Sequence, residues 1–162
     1  MTSIPDLCIS VANLPPDGRT VTGEVSFEAL DIADDEHIAC PNPLTFSLHV
    51  SPVQSRYLVQ GTLETTLECT CDRCLETYDL PVLTKDVCHF FDDAPNLLLD
   101  LTDEVREDIL LAFPQRCLCR SECLGLCPSC GRDLNKGTCS CAASEDDPSP
   151  WAALDNLDLP ES

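Results

Sequence analysis

The stretch CLGLCPSCGRDLNKGTCSC, Cys123 to Cys141, puts five cysteines within nineteen residues. A segment so rich in thiols and so poor in core-forming side chains must be held by disulfides, by a metal or not at all. The start of the chain, MTSIPDLCISVANLPPDG, lacks a basic stretch followed by an apolar one, so it does not read as a secretion signal. No later run approaches the roughly 18 apolar residues of a membrane span. The expectation is a soluble cytoplasmic protein in a reducing compartment, where thirteen cysteines point to metal binding more readily than to disulfides. The odd count fits a disulfide framework poorly.

Cys127-Pro-Ser-Cys130-Gly131 is the strongest local signal. Two thiolates separated by two residues converge on one ion if the backbone turns sharply, and Gly131 permits the positive φ that such a turn needs. Cys139 and Cys141 supply two more sulfurs across a short loop. Four thiolates at this spacing suit a closed, tetrahedral zinc site, since zinc is thiophilic and redox-inert. Disulfides, an iron–sulfur cluster and free structural thiols are the competing fates.

A second CxxC, Cys71-Asp-Arg-Cys74, interrupts a segment that otherwise reads as two strands. In RYLVQGTLETTLEC, Tyr57, Val59, Leu63, Leu67 and Cys69 fall on one face, and TYDLPVLTKDVCHFF reads as the returning strand, with Pro81 marking an edge or a bulge. The pair would then sit at a hairpin tip. If Cys127, Cys130, Cys139 and Cys141 fill one site, Cys71 and Cys74 can complete a second with Cys119 and Cys123, stitching the tip to the segment after the helix. Cys117 is an alternative to Cys119. A thiol-redox role for Cys71 and Cys74 competes, although a thioredoxin-like site would open a helix rather than a strand. Cys69 and Cys88 read as buried small apolar residues.

Strand alternation recurs in RTVTGEVSFEAL, with Val21, Val25, Phe27 and Ala29 inward, and in LTFSLHV, with Leu44, Phe46, Leu48 and Val50 inward. DIADDEHIACPNP between them reads as a loop. LTDEVREDILLAFP is the clearest helix, with Thr102 as N-cap, Pro114 as its stop, and Val105, Ile109, Ala112 and Phe113 on one face. The predicted architecture is α+β: an antiparallel sheet covered by one or two helices over residues 1–115, a cysteine-rich zinc-knuckle segment over 116–141, and an acidic, partly flexible tail over 142–162. Trp151, Leu154 and Leu157 give that tail a short apolar stripe.

Charge narrows the function. The net charge of -20, from 29 acids against 9 bases, repels phosphate backbones and anionic membranes and excludes a broad basic nucleic-acid face. Residues 116–141 run against this trend, with Arg116, Arg120, Arg132 and Lys136 against Glu122 and Asp133. With Arg73, these cations read either as a small phosphate-contacting patch or as counter-charges to a zinc tetrathiolate of net charge about -2. Catalytic signatures are absent: His37, His49 and His89 are scattered, and no HExxH, GxGxxG, P-loop or nucleophile elbow occurs.

The strand-borne CDRCLE, the acidic helix ending in Pro, the tail CRSECLGLCPSCGRDLNKGTCSC and the ending DPSPWAAL together resemble the YceD family over roughly residues 55–157. Cys71, Arg73 and Cys74 match its CxRC; the C-terminal cysteine cluster matches only a subset of members. The Pro before Trp151, where a basic residue is usual, departs from the pattern. The resemblance implies a non-enzymatic factor in ribosome biogenesis, linked to accumulation of large-subunit (23S) ribosomal RNA and acting on that RNA or an early assembly intermediate. Contact would run through Arg73, Arg120, Arg132 and Lys136, or through a basic ribosomal protein suited to the acidic surface. Neither a membrane nor a small-molecule substrate is expected.

Overall fold

The computed structural model describes residues 7–92, 94 and 97–141; the apolar stripe of Trp151, Leu154 and Leu157 lies outside them. Seven strands and one α-helix follow in chain order: β1 Cys8–Ser10, β2 Arg19–Val25, β3 Ile38–Ala39, β4 Leu44–Val53, β5 Arg56–Thr70, β6 Thr77–Phe91, β7 Leu98–Asp100 and α1 Thr102–Ala112. β2, β4, β5 and β6 form an antiparallel sheet, with β3 pairing the upper part of β5 on the side that β4 uses lower down. The fold is thus α+β, mainly antiparallel sheet with a single helix among the described residues.

The alternation that predicts β4 and β5 is the alternation that fills the core. Leu44, Phe46, Leu48 and Val50 are buried, and so are Val59, Leu63, Leu67 and Cys69 on the facing side of the neighbouring strand. Each such aliphatic side chain removed from water contributes about 1.5–3 kcal/mol, so the register of this pair is strongly specified. β5 and β6 make a fifteen-residue-per-strand hairpin that extends beyond the rest of the sheet and carries Cys71 and Cys74 at its tip.

β6 required a correction to simple alternation. Leu80 and Val82 face the core before a bulge, where the pairing slips by one residue between Gly61 and Leu63 of β5; beyond it Val87 and Phe91 face inward. The extra residue flips the parity of the strand, and Cys88, expected to be buried, is exposed. Among the described residues β6 pairs only with β5, and its outer edge carries Pro81, the bulge and Lys85, three devices that discourage further strand pairing.

Other expectations gave way to local turn chemistry. The second strand stops at Val25; Phe27 reaches the core from the lead-in to a 3-10 turn, Glu28–Leu30, rather than from the pleat. The loop DIADDEHIACPNP contains β3, whose approach is set by Asp35 Oδ1 accepting from the N–H groups of His37 and Ile38. β1, absent from the sequence reading, pairs with β7 some ninety residues away and buries Leu7, Ile9 and Val11.

Thr102 is the first helical residue rather than the cap. Leu101 holds the N-cap position without a side-chain cap bond, and Asp100 just before it steadies the helix start, its Oδ1 accepting from Thr102 N–H at 3.1 Å and from Thr102 Oγ1 at 2.6 Å. Those bonds hold the Asp100 carboxyl below its usual pKa. The helix stops at Ala112 because Phe113, preceding Pro114, is extended with ψ 144°, as a residue before proline tends to be. Val105 and Ile109 are buried, and His89 Nε2 of β6 meets Asp108 Oδ2 of α1 at 2.8 Å. No helix among the described residues is long and apolar enough to cross a membrane.

Candidate metal centres

After α1 the chain turns back to the hairpin tip and stays there. Asp72 N–H donates to Cys117 O at 2.8 Å and Cys117 N–H donates to Asp72 Oδ2 at 3.0 Å, so residue 117 is clamped to the loop that holds Cys71 and Cys74. Leu126 N–H then donates to Arg73 O at 3.0 Å. Between these two anchors the segment lays Cys119 and Cys123 over the tip.

The result is two groups of four thiols. Cys71, Cys74, Cys119 and Cys123 form one, Cys127, Cys130, Cys139 and Cys141 the other, and in each the sulfurs lie within 4.8 Å of one another. Cys71 and Cys123 sulfurs are 3.8 Å apart, Cys74 and Cys119 3.7 Å, Cys127 and Cys139 3.4 Å. A tetrahedral ion with metal–sulfur bonds of about 2.3 Å spaces its sulfurs by about 3.8 Å, whereas a disulfide needs about 2.05 Å. Each group can therefore hold one metal ion. The eight cysteines of the two groups are free thiols.

The two CxxC turns are built alike. Leu75 N–H donates to Cys71 O at 2.9 Å and Gly131 N–H to Cys127 O at 2.8 Å; Cys71 N–H donates to Glu76 O at 2.9 Å and Cys127 N–H to Arg132 O at 2.8 Å. Leu75 and Gly131 both take positive φ, 61° and 70°. Backbone N–H groups left inside such turns point at sulfur. Burial raises the pKa of the Cys71 thiol, but the N–H groups of Cys119, Cys74 and Arg73 outweigh it and bring the thiol down to about 6. The N–H groups of Cys130 and Ser129, helped by the Cys139 thiol, lower Cys127 to about 6 as well. The opposite member of each group is raised: Cys119 to about 12 by burial and by neighbouring thiols, Cys141 to about 12 chiefly by the Cys130 thiol. The protein alone thus favours an early thiolate in each group, and a dication must displace the remaining protons.

The groups differ in shelter. Cys71, Cys74 and Cys123 are buried, with Tyr78, Leu118 and Leu126 packed around them. In the second group only Cys127 is buried, and Cys130 and Cys141 are exposed. Sequence reasoning missed Asn135, which joins the two. From the loop between Cys130 and Cys139, its Nδ2 donates to Cys123 Sγ at 3.4 Å while its Oδ1 accepts from Leu124 N–H at 2.8 Å. The only signal for it was an Asn in a short loop, which is common to turns of every kind.

Cys117 does not join either group. It lies against Cys69 in the main core, where burial raises both thiols, Cys69 to about 12. Of the cations, Arg73 donates from Nη1 to Cys123 O at 2.8 Å, Arg132 from Nη1 to Thr138 O at 3.1 Å, and Lys136 pairs with Glu76 and Asp133. Arg120 is exposed, and its side chain has no partner among the described residues. The histidines stay apart: His49 bridges Thr20 Oγ1 and Asp17 O, and His89 holds α1.

Fold and site define a small antiparallel-sheet protein with a thiol-rich lobe able to hold two metal ions. The family model described as Large ribosomal RNA subunit accumulation protein YceD matches residues 84–158, a little under half of the chain, and this similarity supports assignment to the YceD family. The matched span takes in the helix and both later cysteine stretches but begins after the hairpin tip with Cys71 and Cys74. No curated protein and no solved structure matches the chain. The similarity supports a role in ribosome biogenesis.

Proposed function

We propose that the protein is a non-enzymatic, cytoplasmic factor supporting the synthesis, processing or accumulation of large-subunit 23S ribosomal RNA, with two structural zinc ions. Zinc would be held by Cys71, Cys74, Cys119 and Cys123, and by Cys127, Cys130, Cys139 and Cys141. The observation that carries the zinc reading is that the sulfurs of each group lie within 4.8 Å of one another, with pairs at 3.8 and 3.7 Å in the first group and 3.4 Å in the second, near the spacing around a single tetrahedral ion. A multi-iron cluster, with sulfides between its metals, would hold cysteine sulfurs farther apart.

The reading favours direct RNA contact through the metal lobe. Arg73 and Arg120 are exposed there, whereas Arg132 and Lys136 are engaged within the lobe and serve better as counter-charges. Contact through a basic ribosomal protein would instead use the acidic sheet surface. A thiol-redox role has one supporting observation, the lowered pKa of Cys71. Against it, Cys71 and Cys74 are buried, while reactive cysteines are partly exposed.

Depleting the protein in its source cell and quantifying both subunits and their mature RNAs tests the function. A selective deficit of large-subunit RNA is expected; unchanged large-subunit RNA would overturn the reading. Two equivalents of zinc per chain are expected in the purified, reduced protein.

A further inference from the structure

The two CxxC turns provide an internal comparison. Leu75 and Gly131 occupy the same place in the same hydrogen-bonded turn, at nearly the same positive φ. A Cβ built on Gly131 would meet no heavy atom within 4 Å, so backbone conformation, not space, is what glycine serves there. At Leu75 a branched side chain takes the same left-handed backbone, which L residues other than Asn, Asp and Gly disfavour. That side chain is 61% exposed, so burial within this chain does little to offset the strain. Strain of this kind marks sites whose side chain is needed for something outside the fold. Leu97 is also a leucine at positive φ, but it has no such counterpart among the described residues.

The surroundings indicate what that something is. Leu124, the neighbour of Cys123 in the same thiol group, is 67% exposed. Arg120 adjoins Cys119, and Arg73 lies within the turn itself, with one Nη spent on Cys123 O and other guanidinium N–H groups left to donate. Two exposed leucines and two exposed arginines thus ring one rigid four-thiol group. Arg132 and Lys136 are spent within the lobe as counter-charges, which leaves Arg73 and Arg120 as the rim's outward cations. A basic protein would settle on the acidic sheet; on this rim Arg120 has no side-chain partner among the described residues and Arg73 keeps donors unspent, so these two guanidinium groups are placed to meet an anion.

We propose that Leu75, with Leu124 on the same rim, is an apolar tip that packs against an unstacked base of single-stranded ribosomal RNA, while Arg73 and Arg120 meet the flanking phosphates. Apolar side chains fill this role beside bases, and arginines beside phosphates. The proposal rests on the direct RNA contact argued above and names the side chain that makes it. A metal-held turn suits the task because the tip is already ordered before binding.

The test uses the full, zinc-loaded chain and labelled single-stranded fragments transcribed from large-subunit ribosomal RNA. Leu75→Gly and Leu75→Asn both remove the apolar tip while suiting the left-handed backbone; Leu83→Asn, at an exposed leucine of β6, is the control. Both Leu75 variants should bind about tenfold more weakly, with zinc content unchanged, an equal or higher unfolding temperature, and an unchanged salt dependence because the phosphate contacts remain. Leu83→Asn should bind as the wild type does. Equal affinity of the Leu75 variants and the wild type overturns the role of Leu75 and leaves RNA binding standing. Loss of zinc or of thermal stability in those variants also overturns it, since Leu75 would then be structural. A wild-type protein that binds none of the fragments, or binds only a basic ribosomal protein, overturns the RNA contact itself.

Discussion

The side-chain amide of Asn135 lies 3.4 Å from Cys123 Sγ, so the loop that closes one thiol group also caps a sulfur of the other. An N–H donor at sulfur orients it, as outer-shell partners of metal ligands do. Replacing Asn135 with Ala should weaken metal binding at the Cys71 group by about tenfold or more while sparing the more exposed group. Competition with a chromophoric chelator, run on single-site variants, would reveal equal losses at both groups if Asn135 merely supports the loop.

Chelation should undo the lobe and leave the sheet. The core built on Phe46, Leu48 and Leu63 is separate from the cluster around Cys71, Cys74 and Cys123. Amide exchange should therefore rise over residues 117–141 and the tip at 71–76 after metal removal, with β4 and the lower halves of β5 and β6 still protected. Global unfolding on chelation would show that the metals hold the whole fold.

Acid should release metal in a predictable window. The Cys71 and Cys127 thiols stand at about 6, well below the ordinary 9.0. In the metal-free protein a depressed group stabilises the fold in full above 9.0 and loses that contribution as pH falls through about 6. Cys119 and Cys141, raised to about 12, act in the opposite sense: their protonated forms are favoured, and stability declines as pH rises above 9.0. Metal binding must displace those protons, so affinity should rise steeply with pH across the neutral range. A pH-independent affinity would mean that the thiolates are not the ligands.

The Asp100–Thr102 bonds at the start of α1 predict a modest, titratable loss. Asp100→Ala should cost about 1 kcal/mol, measured by denaturant unfolding. Because the Asp100 pKa is lowered from 3.8, the wild-type advantage should be present above that value and vanish as pH falls below it. Thr102→Val, which removes only the hydroxyl donor, should cost less.

The bulge in β6 predicts a contrast between deletion and substitution. Deleting Lys85 removes the extra residue and turns either Val82 or Val87 outward, each worth about 1.5–3 kcal/mol of burial, along with the neighbours that share its face. Cys88→Ala, on the exposed side, should stay within about 0.5 kcal/mol of the wild type. Equal stability of the Lys85 deletion would mean that the strand can re-register without penalty.

Much of this was legible in the chain. The period-two pattern of Leu44 to Val50 and of Val59 to Cys69 specifies two core strands, because a pleated backbone sends alternate side chains to opposite faces. Two CxxC motifs and four further cysteines implied two groups of four, and the structure brings together those same eight. The misses were of a different kind. Phe27 and Cys88 obeyed the local pattern until a turn or a bulge changed the parity, and Thr102, which looked like a cap, is the first helical residue, with Leu101 in the cap position.

The sequence by itself determined which residue types must meet: apolar faces that have to be buried and thiols that have to converge. Such demands are carried in periodicity and composition, so they are visible before any fold exists. Only the tertiary structure decided which thiol pairs with which, that Cys117 belongs to the core and Cys119 to the lobe, and that Asn135 reaches Cys123. Those choices depend on where the chain re-crosses the hairpin tip, set by the reciprocal bonds between Asp72 and Cys117. No local spacing encodes a contact between residues 45 positions apart.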